Sequence, residues 1–264
     1  MERLSADVRT AFTRAFWTTE GRLSSDTQSA YLLALAFDLL PAEHVPAAFE
    51  HLLRLIKEAD GHLRTGFVGT PLLAPTLTRF GRVDLAYELL LKETYPGWLY
   101  SIRQGATTMW ERWNSYSHSD GFGDAGMNSF NHYAYGAVGQ WMYESVAGLV
   151  PDPEHPGYAH FFVSPLPGGG LEYAQVELLT ACGPVASGWR FEGDTLVMEA
   201  LVPDGASATV VFPFGNAEEI LWQGRTVENV AFKHGERTAL EAGPGSHTFM
   251  IRTSLNPSRA RGAD

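Results

Sequence analysis

The sequence has little cysteine and no long apolar run. Among its 264 residues only Cys182 is a cysteine, which excludes an intrachain disulfide and a cysteine metal cluster. Cys182 lies in an apolar run, and we expect a small buried side chain there. No stretch approaches the roughly 18 apolar residues of a membrane-spanning helix, and the N-terminus lacks the apolar core of a signal peptide. We therefore expect a cytoplasmic protein with no membrane partner.

The chain is also poor in basic residues. It has 19 lysines and arginines against 30 acidic residues, which gives a formal net charge of −11. Nucleic-acid binding depends on clustered basic side chains, so this balance predicts no nucleic-acid partner. An acidic balance is typical of a well-solvated protein and indicates no particular function. With 45% hydrophobic and 12% aromatic residues, the chain has enough apolar side chains to form a core.

Residues 1–150 have the periodicity of α-helices. Residues 25–28 fit a capping box before an apolar helix at residues 30–40. Between residues 44 and 60, apolar residues recur at i, i+3, i+4 and i+7, which is one stripe of an amphipathic helix. The sequence predicts about six helices in all. The others lie at residues 8–17, 72–80, 83–90 and 129–149.

After residue 150 the pattern changes to short strands. Residues 151–157 are rich in proline, which cannot continue a helix. Apolar runs then alternate with turn residues, and this spacing predicts an antiparallel β-sandwich at residues 151–252. Residues 193–194 and 204–205 fit hairpin turns, and residues 253–264 are predicted to be a disordered tail. The runs are 161–163, 174–180, 187–191, 195–201, 208–212, 219–222 and 247–252.

Several common motifs are excluded by their context or do not occur. Residues 121–126 fit the dinucleotide-binding pattern GxGxxG, but the polar residues 116–120 before them are not a buried strand, and no βαβ unit surrounds them. Residues 168–170 are three glycines without the lysine of a phosphate-binding loop. Neither HExxH nor GxSxG occurs, so zinc proteolysis and serine-hydrolase chemistry have no support. No metal-ligand cluster is evident.

The segment from residue 95 to residue 141 contains the candidate site. It holds four of the seven tryptophans, together with carboxylates and histidines. Such a mixture suits a sugar, because the C–H faces of a sugar stack on aromatic rings and its hydroxyls need hydrogen-bond partners. The aromatic and polar candidates are Trp98, Trp110, Glu111, Arg112, Trp113, His118, Asp120, Asp124 and His132, whereas Trp141 lies on an apolar helical stripe and is expected in the core.

Glu111 has two interpretations. Its carboxylate, between Trp110 and Trp113, is suited to act as a general base on a water molecule. Thr108 and Glu111 also have the spacing of a capping box, in which the carboxylate only closes the start of a helix. The residues alone leave both alternatives open.

His132 also has two interpretations. On the predicted helix at residues 129–149 it lies on a different face from the apolar stripe. Gly136 and Gly139 share its face, and two glycines permit the close approach of a ligand or of a neighbouring helix. Packing against a helix and binding a ligand are both compatible with this pattern.

Three segments of the chain resemble a known family. Residues 61–71, 105–113 and 127–136 are similar, in order and spacing, to the C-terminal half of the catalytic module of bacterial α-L-rhamnosidases. The resemblance extends over residues 5–215. It implies half of an (α/α)6 toroid at residues 1–150, followed by the sandwich. It also implies a hydrolase that removes terminal α-L-rhamnose from oligosaccharides or glycosides with inversion and without a cofactor or metal.

The resemblance also implies roles for single residues. Glu111, in Ala-Thr-Thr-Met-Trp-Glu, corresponds to the general base. His132, in Phe-Asn-His-Tyr, corresponds to a residue that binds the sugar. Trp98, Trp110 and Trp113 correspond to the wall of the sugar site or to direct contacts.

One part of the family pattern does not occur in this chain. The general acid of the family lies in a motif rich in Asp, Arg and Glu, upstream of these segments, and the chain contains no counterpart. Twelve helices close the toroid, whereas about six are predicted here. We therefore expect the chain alone to be catalytically incomplete, and to pair with a complementary N-terminal half or to self-associate. The alternatives are a non-catalytic carbohydrate-binding protein and a structural fragment.

Overall fold

A computed structural model of the protein describes residues 2–215, 219–228 and 230–253. The contacts between residues divide the chain into two compact units, Met1–Val138 and Gly139–Asp264, which we call the helical unit and the sandwich unit. The sequence predicts a domain boundary after residue 150, where its pattern changes from helix to strand. That domain boundary stays a prediction. Within the described ranges, no helix is long and apolar enough to cross a membrane. The predicted tail, residues 253–264, lies outside the described residues apart from its first residue.

Seven α-helices occur in the described part of the chain, where about six helices were predicted. They are α1 Glu2–Phe16, α2 Gln28–Ala36, α3 Val45–Glu58, α4 Thr70–Arg79, α5 Val83–Leu90, α6 Trp98–Arg103 and α7 Val138–Trp141. Helices α2 to α5 lie close to their predicted positions, because α2 is apolar nearly all round and α3 and α5 each have a clear apolar stripe. Helix α6 has only six residues and was not predicted.

The apolar faces of α2 to α5 form the core of the helical unit. Helix α2 packs against α3 and α4, and α4 packs against α5. The buried amide of Gln28 donates to the carbonyls of Leu55 and His62, and its oxygen accepts from the N–H of Arg64 at 2.6 Å. These bonds satisfy a buried polar side chain and join the start of α2 to the end of α3. Fully buried side chains of this core include Tyr31, Leu32, Leu35, Leu52, Ile56 and Leu77.

The two ends of α2 differ from the prediction. Thr27, rather than the first residue of the predicted capping box, is the N-cap, because its hydroxyl accepts from the N–H of Ala30 at 3.2 Å. The helix ends at Ala36, earlier than predicted, because Asp38 adopts a left-handed backbone conformation with φ of 51°. The apolar pattern therefore identifies the helix but not its termini.

The predicted helix at residues 129–149 is wrong in its first part. The segment begins without regular structure, a 3₁₀-helix spans Ala134–Ala137, and a π-helix spans Met142–Val146 after α7. His132 lies in the loop, because its backbone N–H donates to the carbonyl of Met109 and not within a helix. The expected helix face with two glycines beside His132 therefore does not exist.

The described residues of the sandwich unit form two sheets. Its strands are β3 Leu149–Pro151, β4 His160–Val163, β5 Tyr173–Thr180, β6 Gly183–Glu192, β7 Thr195–Val202, β8 Ser207–Val211, β9 Ile220–Trp222, β10 Arg225–Thr226, β11 Phe232–His234, β12 Arg237–Ala242 and β13 Gly245–Arg252. One sheet has the order β10-β9-β13-β7-β6-β5 and the other the order β11-β12-β8-β4-β3. All neighbouring strands are antiparallel except β4 and β8. The prediction of an antiparallel sandwich is confirmed, with this one parallel pair as the exception.

One of the two predicted hairpin turns is confirmed. Residues 193–194 join β6 to β7, which pair along their length. Residues 204–205 join β7 to β8, which lie in different sheets, so this connection crosses the sandwich and is not a hairpin. Cys182 lies in the turn between β5 and β6, where Thr180 pairs with Gly183, and it is half-buried rather than buried.

Strand β6 holds the end of the π-helix. The buried Trp189 donates from Nε1 to the carbonyl of Val146 at 2.7 Å. On the same strand, the hydroxyl of Ser187 donates to the carbonyl of Ala147 at 2.6 Å. The last carbonyls of a helix have no partner within the helix, so these two bonds anchor its C-terminal end on the sandwich.

Candidate active site

A long loop region of the helical unit carries the candidate residues. Between α6 and the 3₁₀-helix, the described chain contains only two short strands, β1 Tyr116–Ser117 and β2 Gly121–Phe122, which pair antiparallel. No helix follows the glycines of residues 121–126 directly. Loops held by a rigid scaffold are frequent positions for binding and catalytic residues.

Two segments of this region lie side by side. The N–H of Glu111 donates to the carbonyl of Ser129 at 2.9 Å, and the N–H of His132 donates to the carbonyl of Met109 at 2.9 Å. The two candidate residues are far apart in the sequence. They nevertheless lie on paired segments of backbone.

The carboxylate of Glu111 is half-buried and is fixed by the same pairing. Its Oε2 accepts from the N–H of Ser129 at 2.7 Å. The capping-box interpretation is wrong, because residues 108–111 do not begin a helix and the bonded N–H lies 18 positions further along the chain. A hydrogen bond to an ionised carboxylate is short and directional, so the loop pairing sets the orientation of this side chain.

The ring of His132 stacks between two other aromatic rings. Its centroid lies 4.6 Å from that of Phe67, at an interplanar angle of 19°, and 5.6 Å from that of Tyr133, at 4°. The N–H of Ala134 donates to Nδ1 at 3.3 Å, so the neutral ring carries its proton on Nε2. His132 therefore presents one N–H donor beside two flat apolar faces.

The three tryptophans predicted to contact or enclose the sugar are buried. Trp98, Trp110 and Trp113 are 7%, 6% and 8% exposed. Trp98 donates from Nε1 to the carbonyl of Tyr135 at 2.9 Å, and Trp113 stacks on the Tyr135 ring with centroids 3.9 Å apart. Trp110 packs edge-on against Phe130 at 5.4 Å. This packing favours a supporting wall over direct contact, and their part in sugar binding stays a prediction.

Exposed aromatic side chains lie beside His132, and the sequence analysis did not single them out. Phe67 is 42% exposed and Tyr133 is 87% exposed. Phe122, on β2, is also exposed. Phe67 and Tyr133 belong to two of the segments that resemble the family, so a signal for them was present. Nothing in the sequence marks Phe122 as exposed.

Two other carboxylates of the loop region are exposed. Hydrogen bonds from the hydroxyls of Ser119 and Ser117 lower the pKa of Asp120 below its usual value. Asp124 accepts from the N–H of Gly126 at 2.8 Å. A general acid must carry a proton at the working pH, so the lowered pKa argues against Asp120 in that role.

Comparison with known proteins gives a consistent result. The protein-family model of the bacterial alpha-L-rhamnosidase six-hairpin glycosidase domain matches residues 2–146. The family model of the bacterial alpha-L-rhamnosidase C-terminal domain matches residues 148–226. An alpha-L-rhamnosidase of Formosa agariphila is 45% identical over 266 residues, which cover 96% of this chain and 28% of the relative. An alpha-L-rhamnosidase of Alteromonas sp. is 50% identical over 188 residues, which cover 71% of this chain and 20% of the relative.

A solved structure agrees with the sequence matches. The crystal structure of Streptomyces avermitilis alpha-L-rhamnosidase complexed with L-rhamnose superposes with a TM-score of 0.87 and 39% identity. The match covers 95% of this chain and 24% of that chain. The chain thus spans about a quarter of the length of these relatives. With a family model that matches its whole helical unit and the start of its sandwich unit, the chain belongs to the bacterial α-L-rhamnosidases.

Proposed function

We propose that this chain supplies the general base and part of the sugar-binding surface of an inverting α-L-rhamnosidase, which hydrolyses terminal non-reducing α-L-rhamnose. One observation carries the proposal. The Glu111 carboxylate and the His132 ring lie on two paired loop segments, and the exposed rings of Phe67 and Tyr133 stack on the His132 ring. The structure of the Streptomyces avermitilis relative with L-rhamnose supports rhamnose as the ligand.

In this mechanism Glu111 acts on a water molecule. Its carboxylate takes a proton from the water as the water oxygen attacks the anomeric carbon from the face opposite the leaving group. The glycosidic C–O bond breaks, and the leaving oxygen takes a proton from a general acid. Inverting enzymes hold the two carboxyl groups about 6.5–9.5 Å apart, so that the water fits between Glu111 and the sugar.

The general acid in this proposal lies outside the 264 residues. Asp120 and Asp124 are carboxylates of the same loop region, but both are exposed, and the pKa of Asp120 is lowered. A carboxyl with a lowered pKa is deprotonated at neutral pH and has no proton to give. The chain alone would therefore leave the departing alkoxide unprotonated.

His132 and its aromatic neighbours would bind the sugar. A rhamnose ring has C–H faces that pack on the exposed rings of Phe67 and Tyr133, and hydroxyls that accept from Nε2–H of His132. The buried tryptophans Trp98 and Trp113 would hold this surface from behind through Tyr135.

Helix α1 supports the expectation of a complementary segment. Leu4, Val8, Phe12 and Phe16 recur at every fourth position and form one stripe. Leu4, Val8 and Phe16 are exposed, and a continuous apolar stripe on a helix usually marks an interface. We assign this face to the remaining helices of the toroid. Self-association of the chain through the same face is the competing outcome.

The test uses the purified 264-residue chain with L-rhamnose and with a natural rhamnoside. We expect NMR shifts of the His132 ring on titration with L-rhamnose. His132→Ala should weaken binding at least 10-fold, as loss of a buried polar contact can. The matched variant His234→Ala, which changes an exposed histidine of the sandwich unit, should not. Hydrolysis should appear only when a polypeptide with the remaining toroid helices is added.

Clear turnover of a natural rhamnoside by the chain alone would place the general acid within the chain. Sugar binding without turnover in the combined sample would favour the carbohydrate-binding alternative.

A further inference from the structure

Three side chains with metal-ligand atoms converge in the sandwich unit, at the connection between β3 and β4. Oδ2 of Asp152 lies 2.8 Å from Nδ1 of His155 and 2.8 Å from Nδ1 of His160. One ligand atom of each residue lies within 4.8 Å of the other two. No such cluster was evident from the sequence, because the spacing of the three residues matches no common zinc motif. The fold brings them together when β4 returns to pair with β3.

Asp152 is held in place by its own turn. The N–H of Glu154 donates to Oδ1 at 3.0 Å, and the N–H of His155 donates to the Asp152 carbonyl at 3.1 Å. These two bonds hold the turn in shape and leave Oδ2 directed at the two histidine rings. An ionised carboxylate is the form of this side chain that binds a metal ion.

His160 is oriented from its far side. The Thr209 hydroxyl donates to Oε1 of Glu241 at 2.6 Å, so its oxygen is left to accept from Nε2–H of His160 at 3.0 Å. In the neutral ring the proton is then on Nε2, and Nδ1 carries a lone pair. This lone pair faces Oδ2 of Asp152 at 2.8 Å. Two acceptors at this distance need a cation between them, either a proton or a metal ion.

We propose that Asp152, His155 and His160 bind one divalent transition-metal ion of the Zn²⁺ type. Two imidazole nitrogens and one carboxylate oxygen form a donor set that suits Zn²⁺, whereas Ca²⁺ and Mg²⁺ prefer oxygen ligands alone. His160 donates to the Thr209 hydroxyl, which in turn donates to Glu241, and this chain is the outer support that metal-binding histidines usually have. The proposal does not depend on rhamnoside hydrolysis.

The ligand atoms would have to move to hold the ion, because Zn–N and Zn–O distances of about 2.0–2.2 Å in a tetrahedral site place the ligand atoms about 3.3 Å apart. Each histidine Nδ1, now 2.8 Å from Oδ2 of Asp152, would move outward by about half an ångström, and the two nitrogens, which lie within 4.8 Å of each other, would close to a similar separation. His155 is exposed and free to move, whereas Asp152 and His160 are half-buried. A water molecule would take the fourth position. The ion would then fix the β3–β4 connection to the strand that follows it.

The test is a Zn²⁺ titration of the chelator-treated 264-residue chain, in competition with a chromophoric chelator. We expect one Zn²⁺ per chain and a thermal midpoint that rises with Zn²⁺ concentration. Thr209→Val should weaken binding about 10–100-fold, as loss of an outer-shell partner does. Because His155 is exposed, His155→Ala should keep the fold, and it should weaken binding at least as strongly. His118→Ala, an exposed histidine of the helical unit, is the matched control and should bind normally.

Nitrogen NMR of the histidine rings provides a second readout on the unaltered chain. Zn²⁺ should shift the Nδ1 signals of two histidines, and one of them should keep its proton on Nε2. Saturable binding that neither His155→Ala nor Thr209→Val weakens would overturn the proposal. Absence of saturable binding would also overturn it, and would identify the cation between Asp152 and His160 as a proton.

Discussion

The two units of the molecule bury their apolar side chains to different degrees. In the sandwich unit, Phe249 and Ile251 of β13 are fully buried, and large exposed residues such as Tyr173 and Leu179 lie at opposite ends of the edge strand β5. Scattered exposure of this kind is normal for a surface. In the helical unit, the apolar residues of α1 lie exposed on a single stripe.

The difference lies in which apolar surfaces each unit covers with its own residues. The sandwich completes a core from its own two sheets and also anchors the end of the π-helix through Trp189. The helical unit leaves two surfaces open, which are the α1 stripe and the exposed rings around His132. In the proposed function, the first surface packs against a further part of the toroid and the second binds the sugar.

The largest expected effect is on the stability of the sandwich. Trp189→Ala should lower the free energy of unfolding by about 3–5 kcal/mol, because it removes a large buried ring and leaves a cavity. Trp189→Phe keeps most of the ring but loses the bond to the Val146 carbonyl, which should cost about 1 kcal/mol. Urea unfolding followed by circular dichroism measures both. Equal losses for the two variants would show that the hydrogen bond, and not the core, dominates.

In the helical unit, smaller changes in stability and in sugar affinity should distinguish buried aromatic residues from exposed ones. Trp98→Phe should cost about 1 kcal/mol of stability, because it removes the bond from Nε1 to the Tyr135 carbonyl, and should leave L-rhamnose binding unchanged. Phe67→Ala should weaken L-rhamnose binding and leave stability nearly unchanged, because Phe67 is partly exposed beside His132. Thermal unfolding and NMR titration with L-rhamnose give the two quantities. A larger loss of sugar affinity in Trp98→Phe than in Phe67→Ala would make Trp98 a direct contact.

The smallest expected effect is a pH dependence in the helical unit. Partial burial acts to raise the pKa of Asp26, but hydrogen bonds from Arg54 and Tyr31 outweigh it and lower the pKa below its usual value. Because the pKa of Asp26 is lower in the folded state than its unfolded value of about 3.9, the ionised carboxylate stabilises the fold at pH values above about 3.9. This stabilisation is lost as the pH falls through the pKa of the folded state.

Asp26→Asn removes this dependence. Since the pair with Arg54 is partly exposed, the variant should be at most about 1 kcal/mol less stable than the wild type at neutral pH. The difference should disappear as the pH falls through the lowered pKa of Asp26. Urea unfolding of both proteins across this pH range is the measurement. A difference that grows at low pH would assign the opposite sign to the pKa shift.

The sequence was sufficient for the fold wherever periodicity reflects packing. The stripes of α3 and α5 and the strand-length apolar runs of β5 to β7 are visible because burial selects one face of each element. Strands β10 and β11 have two and three residues, too few for a pattern. Residues 204–205 have the composition of a hairpin turn, yet they connect strands of different sheets. The sequence could not reveal this, because turn composition does not specify in which sheet the next strand lies.

The candidate site was harder to predict, because its loops have no period. The helical spacing after residue 129 persists in the sequence, but the backbone of His132 bonds to Met109 instead. The capping-box spacing of residues 108–111 arises where no helix begins. The family motifs identified Glu111 and His132 as candidates, and only the fold reveals that Phe67 and Tyr133 flank the histidine.

Glu111→Gln is the variant that separates a general base from a residue that only holds the loop. The measurement compares wild type and Glu111→Gln in a polypeptide that joins this chain to the toroid helices carrying the acid. Glutamine keeps an oxygen that accepts from Ser129 but cannot take a proton from water. We therefore predict that kcat falls about 10²–10⁴-fold with little change in thermal stability, while the exposed control Glu43→Gln keeps full activity. Activity of Glu111→Gln within about three-fold of the wild type, far short of a general-base effect, would show that Glu111 only holds the loop.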